Sequence, residues 1–181
     1  LLLTEARRPA RADADGNPVL LEQQDRSLWL QPHITEGKQL LEQTLAQGEV
    51  GPYLLQAAIA AVHAEARTFA DTDWVQIVAL YELLWRLTRS PVVALNHLVA
   101  LSMRDGPAAA VGPLEALLQQ GELAQHYLSH AALADLYRKL ERVPEAIACY
   151  QQALALVQQE PDRRFLESRL AELGERLAEK S

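Results

Sequence analysis

The sequence predicts an all-α fold: a right-handed superhelix of antiparallel helix pairs, preceded by a long N-terminal loop and closed by a capping C-terminal helix. Three observations point there. The composition is rich in Ala, Leu and Gln, with only two Phe in 181 residues, which favours helix. Proline and glycine fall where helices start and stop, at Pro52, Pro91, Pro144 and Pro161 and at Gly48 and Gly121. Apolar residues recur at steps of three and four through most of the chain.

The clearest stretch is Tyr127 to Glu160. Leu133, Ala134 and Tyr137 share one face of a first helix. Ala146, Tyr150 and Ala153 share one face of a second, and the polar turn Glu141-Arg142-Val143 lies between them. Pro144 opens the second helix, where its missing N–H costs nothing. Ala134, Ala146 and Ala153 allow close approach, while Leu133, Tyr137 and Tyr150 fill the groove. This pattern resembles a tetratricopeptide repeat, a unit of about 34 residues that cannot bury its apolar face alone. His130 stands where that pattern prefers Trp.

Taken in order, residues 1–8 read as the last turns of a helix, with Leu2, Leu3 and Ala6 buried and Pro9 as the stop. A turn-rich loop follows, in which Asp15-Gly16 suits a tight turn. Val19-Leu20-Leu21 makes a small strand or pins the loop. Asp25 or Ser27 caps a helix, and Trp29 anchors the segment. The next helix covers 34–47, with Ile34, Leu40, Leu41 and Leu45 as its buried stripe. The alanine-rich helix over 52–67 buries Leu55, Ala58, Ile59 and Val62. Tyr53, Gln56, Ala60, His63 and Arg67 run along another of its faces, and such a polar stripe must meet water or buried partners.

Asp71-Thr72-Asp73 caps a helix from Trp74 to Leu87, whose core face is Trp74, Ile77, Val78, Tyr81 and Leu84. Ser90-Pro91 opens the next, with Val93, Leu95, Leu98 and Leu101 apolar and Asn96 bonding inside that face. A helix over 107–119 buries Val111, Leu114, Leu117 and Leu118. Aligning Pro107 with Pro144 sets Ala109 on Ala146 and makes this pair a degenerate repeat. The last helix carries Phe165, Leu166, Leu170, Leu173 and Leu177, opposite a charged face that suits the end of a stack. The expected organisation is therefore 1–33 as a helix end and ordered loop, 34–87 as helical pairs, 91–160 as repeats and 161–181 as the cap. These form one continuous domain.

The chemistry-bearing motifs are missing. There is no glycine-rich phosphate loop, G-x-S-x-G, H-E-x-x-H or C-x-x-C, so neither an enzyme nor a cofactor is expected. His126 and His130 are four apart, but Glu122 and Asp135 do not complete a zinc set, and no metal is expected. Cys149 reads as a small core residue, and a single cysteine suits a reducing cytoplasm. A net charge of −7 argues against direct contact with DNA. No apolar run reaches the ~18–20 residues of a membrane span.

Four segments carry a family resemblance. They are Ala14-Asp15-Gly16 through Leu20-Leu21-Glu22-Gln23-Gln24-Asp25-Arg26-Ser27-Leu28-Trp29, then Gly51-Pro52-Tyr53-Leu54-Leu55-Gln56-Ala57-Ala58-Ile59-Ala60-Ala61-Val62-His63-Ala64, then Pro91-Val92-Val93-Ala94-Leu95-Asn96, and the tail from Glu160 to Leu166. Together they resemble the C-terminal, tetratricopeptide-like extension of bacterial extracytoplasmic-function sigma factors of RNA polymerase. Leu30-Gln31-Pro32-His33 departs from the more acidic helix start of that group. The opening Leu1-Leu2-Leu3-Thr4, with no Met, reads as an entry into the middle of a longer protein.

The resemblance implies that promoter and core-polymerase binding belong to sigma domains upstream. This part would be regulatory, in the cytoplasm, docking on the sigma domains of its own chain, on core polymerase or on a regulatory protein. The expected interaction surface combines Gln23, Asp25, Arg26 and Trp29 of the long loop with Tyr53, Gln56 and His63. Two alternatives stay open: a free-standing helical-repeat adaptor, and a small-molecule sensor with a closed pocket around the stripe from Tyr53 to His63.

Overall fold

The structure is a computed structural model that describes residues 1–48 and 50–179. The helices are α1 (Leu2–Glu5), α2 (Gln31–Ala46), α3 (Pro52–Glu65), α4 (Trp74–Thr88), α5 (Pro91–Asp105), α6 (Ala108–Gln119), α7 (Tyr127–Lys139), α8 (Val143–Leu156) and α9 (Glu160–Glu179). Three short 3-10 turns lie in the N-terminal loop, at Arg8–Ala10, Leu21–Gln23 and Arg26–Leu28. Among the described residues the fold is all-α, with one isolated antiparallel bridge between Ala12 and Pro18. The chain divides into two compact units, Leu1–Val93 and Ala94–Ser181.

In the second unit the tetratricopeptide-like pair forms as its sequence dictates. Leu133, Ala134 and Tyr137 on α7 and Ala146, Tyr150 and Ala153 on α8 are all buried in one core with Leu166 and Leu173 of α9. Burying a large apolar side chain contributes about 1.5–3 kcal/mol, so Leu114, Leu133, Leu166 and Leu173 supply much of this unit's stability. The turn between α7 and α8 closes through Arg142 N–H to the Tyr137 carbonyl at 2.9 Å. Glu141 takes the left-handed conformation there, with φ of 57°. Tyr137 donates its hydroxyl proton to Glu115 of α6, and the Arg142 guanidinium lies 4.5 Å from its ring centre. Tyr127 does the same to Asp162 of α9 at 2.9 Å.

The first unit is organised by its loop. Asp13 accepts from the N–H groups of Asp15 at 2.9 Å and Asn17 at 2.8 Å, and Gly16, with φ of 79°, makes the tight turn. Val19-Leu20-Leu21 forms no strand; it enters the second 3-10 turn. Asp25 caps the third by accepting from Ser27 N–H at 2.8 Å. Leu30 N–H then returns to the Ala6 carbonyl at 2.9 Å, which closes the loop on its own start. The resulting core holds Leu3, Ala6, Ala10, Trp29, Ile34 and Ala61.

Several sequence expectations need correction. α2 begins at Gln31 and not at 34, because Pro32 sits in its first turn, where a missing N–H is harmless. Leu40 and Leu45 are about half exposed, and the close contact of α2 is made instead at Gly37, against Leu3. Asn96 is exposed, so α5 has no polar intrusion there; its buried polar residue is Ser102, bonded to the Val99 carbonyl at 2.7 Å. In α6 the fully buried alanine is Ala110, one residue after Ala109. Pro107 stands just before its helix, whereas Pro144 is the second residue of its own. Residues 180 and 181 of the expected cap lie outside the described residues.

Candidate functional site

The polar residues of the loop meet the C-terminal end of α3, within the first unit. Trp29 is 3% exposed and anchors the loop in the core with Leu3, Ala6 and Ile34. One turn earlier, Arg26 crosses to α3. Its Nη1 donates to the carbonyls of His63 and Ala66, both at 2.7 Å, and its Nη2 to Thr72 Oγ1 at 3.3 Å. Those carbonyls end α3, so a cation here satisfies orphan acceptors and complements the helix dipole. The Arg26 guanidinium also lies 4.6 Å from the Trp29 ring centre, and Arg7 lies 5.2 Å from the same ring. Trp29 is thus contacted by two cations.

His63 is buried, and its ring meets Trp74 edge-on at 5.4 Å. Phe69 meets the same Trp at 5.3 Å. Burial, with Arg7 and Arg26 nearby, pushes the His63 imidazole down to about 4, so it is neutral at pH 7. Burial and the neighbouring Arg11 and Arg26 push Arg7 down to about 10. Tyr81, on α4, is raised by burial and drawn back by Arg7. The charged neighbours of Arg7 are Arg11 and Arg26, with the Tyr81 phenol opposing them, and Asp71 bears on Arg26.

Three polar atoms here are buried without a hydrogen-bond partner in the chain: Arg7 Nε, Trp29 Nε1 and His63 Nδ1. In the same loop Gln24 bonds the Val19 carbonyl through Nε2 at 3.1 Å, while its Oε1 is likewise unpartnered.

Of the residues expected to form one surface, the structure brings together Arg26, Trp29 and His63. Gln23 and Asp25 are exposed, and Asp25 serves as a cap. Tyr53 is 87% exposed and Gln56 is exposed, so they do not join the cluster. The loop is anchored on the C-terminal end of α3 and leaves Tyr53 and Gln56 to solvent. Arg7, Thr72, Trp74 and Tyr81 complete the cluster from three other segments. Arg7 carries no local signal in the sequence, Thr72 reads there only as part of a helix cap, and Trp74 and Tyr81 read only as core. Elsewhere, His126 Nδ1 pairs with Ser129 Oγ at 3.1 Å and His130 Nε2 with the Ala124 carbonyl at 2.8 Å. Among the described residues no group of three or more metal-ligating side chains is assembled. No helix there is long and apolar enough to cross a membrane.

Comparison with known proteins agrees with this architecture. A tetratricopeptide repeat family matches residues 129–164, which span α7, α8 and the start of α9. The chain is a helical-repeat protein. Its residues 1–45, which hold the loop and Trp29, match a family of unknown function, DUF6596. An uncharacterized protein of Rhizobium meliloti (strain 1021) is 41% identical over 174 residues. That match covers 96% of this chain and 41% of the relative, so the chain spans less than half the relative's length. No solved structure matches.

Proposed function

We propose that the chain is the C-terminal regulatory and protein-interaction domain of an alternative sigma factor of the extracytoplasmic-function group. The observation that carries this reading is the long segment from Ala14 to Trp29, together with Gly51 to Ala64, both of which resemble that group. Two features support it. The resembling segments are those that build the Arg26–Trp29–His63 cluster, so they belong to one structural device. The relative in Rhizobium meliloti is long enough to hold further domains beside the matched part. In this reading the upstream sigma domains bind promoter and polymerase in the cytoplasm. The helical domain docks on them, on core polymerase or on a regulatory protein. Its net charge of −7 keeps it from competing for DNA.

The tetratricopeptide match over residues 129–164 favours a second reading, a helical-repeat adaptor or small-molecule sensor with no part in transcription. The coding sequence ahead of Leu1 separates the two. Sigma domains for the −10 and −35 promoter elements are expected there, and an unrelated domain in that place would remove the proposal.

A further inference from the structure

Helix α4 of the first unit is apolar on two opposite sides. One side, with Ile77, Val78 and Leu84, is buried and packs on α3. The other carries Val75, Ala79, Leu83 and Leu87, each four residues after the last. That spacing makes one ridge along the helix, about 18 Å long and turned away from the core. The ridge stands in solvent: Val75 is 63% exposed, Leu83 46% and Leu87 55%, and Ala79 is exposed as well. A surface helix is ordinarily polar on its outer face, and a contiguous apolar stripe there marks a contact surface.

We propose that this face is a self-association surface, on which two copies of the chain pair through antiparallel α4 helices. Charge identifies the occupant. Glu82 and Arg86 are exposed and stand four apart along one edge of the ridge. A partner that covers the ridge must answer a negative and a positive charge at that spacing, and supply apolar side chains beside them. A second α4, antiparallel about a two-fold axis between the helices, does both. Such an axis sets each edge of the ridge against the same edge of the other copy, in reversed order. Glu82 then meets the partner's Arg86, and Leu83 packs against the partner's Leu87. The midpoints of these two pairings differ by one residue, about 1.5 Å of rise, so one axis serves both. A parallel pair would set Glu82 against the partner's Glu82, which like charge disfavours. The small Ala79 lets the two helices approach beside the leucines. The patch is one helix wide, below the ~800 Å² per partner of a standard interface, so the dimer is weak, with a Kd on the order of 10–100 μM. The surface holds or fails on this chain alone, independently of any role in transcription.

The test is sedimentation equilibrium of the chain at low ionic strength, from about a tenth of that Kd to about ten times it. The expected result is a reversible monomer–dimer equilibrium. Leu83→Asp, at an exposed position, should weaken it at least about tenfold with the circular dichroism unchanged. Glu82→Arg and Arg86→Glu each set like charges across the axis, so each alone should also weaken self-association about tenfold. Mixed in equal amounts, these two variants regain opposite charges at both contacts and should form a heterodimer about as tight as the wild-type dimer. Recovery on mixing cannot come from an effect within one chain. A wild-type chain that stays monomeric throughout the range overturns the proposal and leaves the ridge to a different partner. So does a dimer that Leu83→Asp leaves intact, or a mixture of the two charge variants that shows no recovery.

Discussion

Arg26 donates to the main-chain carbonyl of His63 at 2.7 Å, joining loop and helix across 37 residues of sequence. The same guanidinium bonds Ala66 and Thr72 and lies over Trp29. One side chain therefore closes α3, holds the start of the α3–α4 connection and fixes the anchoring Trp. Hydrogen bonds from a charged donor contribute about 1.5–3 kcal/mol, with partial overlap when they share a group. Arg26→Ala should destabilise the first unit by about 2–3 kcal/mol, and Arg26→Lys should recover under half of it. Urea denaturation followed by Trp fluorescence reads this. A loss below about 0.5 kcal/mol in Arg26→Ala would show that the bonds do not hold the loop.

The buried His63 sets a dependence on acid. Its folded pKa is lowered to about 4, against 6.5 for the ordinary imidazole. Below about pH 6.5 the unfolded chain takes up a proton that the folded chain refuses until about pH 4, so stability falls as pH falls through that window. The loss is complete near pH 4 and amounts to about 3 kcal/mol. His63→Gln should flatten that part of the profile, and an unchanged slope between pH 6.5 and 4 would place the titration elsewhere.

Two glycines should respond in opposite directions to alanine. A Cβ at Gly37 would stand 2.7 Å from Leu3 Cγ, in a tightly packed core, whereas one at Gly174 meets nothing within 4 Å. Gly174→Ala should stabilise by about 0.5–1 kcal/mol through helix propensity. Gly37→Ala gains the same propensity and loses about 1–3 kcal/mol to overpacking, for a net destabilisation. Thermal melts of both variants check the pair.

The α7–α8 contact depends on small residues. Ala134, Ala146 and Ala153 have no exposed surface. Ala146→Leu should cost about 1–3 kcal/mol by overpacking. Tyr150→Ala should cost about 3–5 kcal/mol by leaving a cavity. Equal tolerance of both changes in denaturation experiments would mean that the helices are not closely packed.

The repeat was legible because helical spacing and small residues appear together at Leu133, Ala134, Tyr137, Ala146, Tyr150 and Ala153, and a buried pair needs both. Periodicity alone misled at Leu40 and Leu45. It places a residue on a helix face without saying how far that face is covered. The same limit explains Tyr53 and Gln56, which share a stripe with His63 but lie beyond the reach of the loop. Arg26, Trp29 and His63 stood out as polar groups beside a large aromatic anchor or inside an alanine-rich helix. Arg7 did not, because its position depends on Leu30 returning to Ala6, a long-range contact with no local signature.

The most direct test of the regulatory role is a promoter-reporter assay on the full-length protein, with and without the part equivalent to residues 1–181, with polymerase binding followed in parallel. A regulatory role predicts that removal changes transcription while polymerase binding persists. A fall marks a positive element acting after holoenzyme assembly, and a rise marks a built-in inhibitor. Unchanged transcription and unchanged polymerase binding would contradict a regulatory role for this domain.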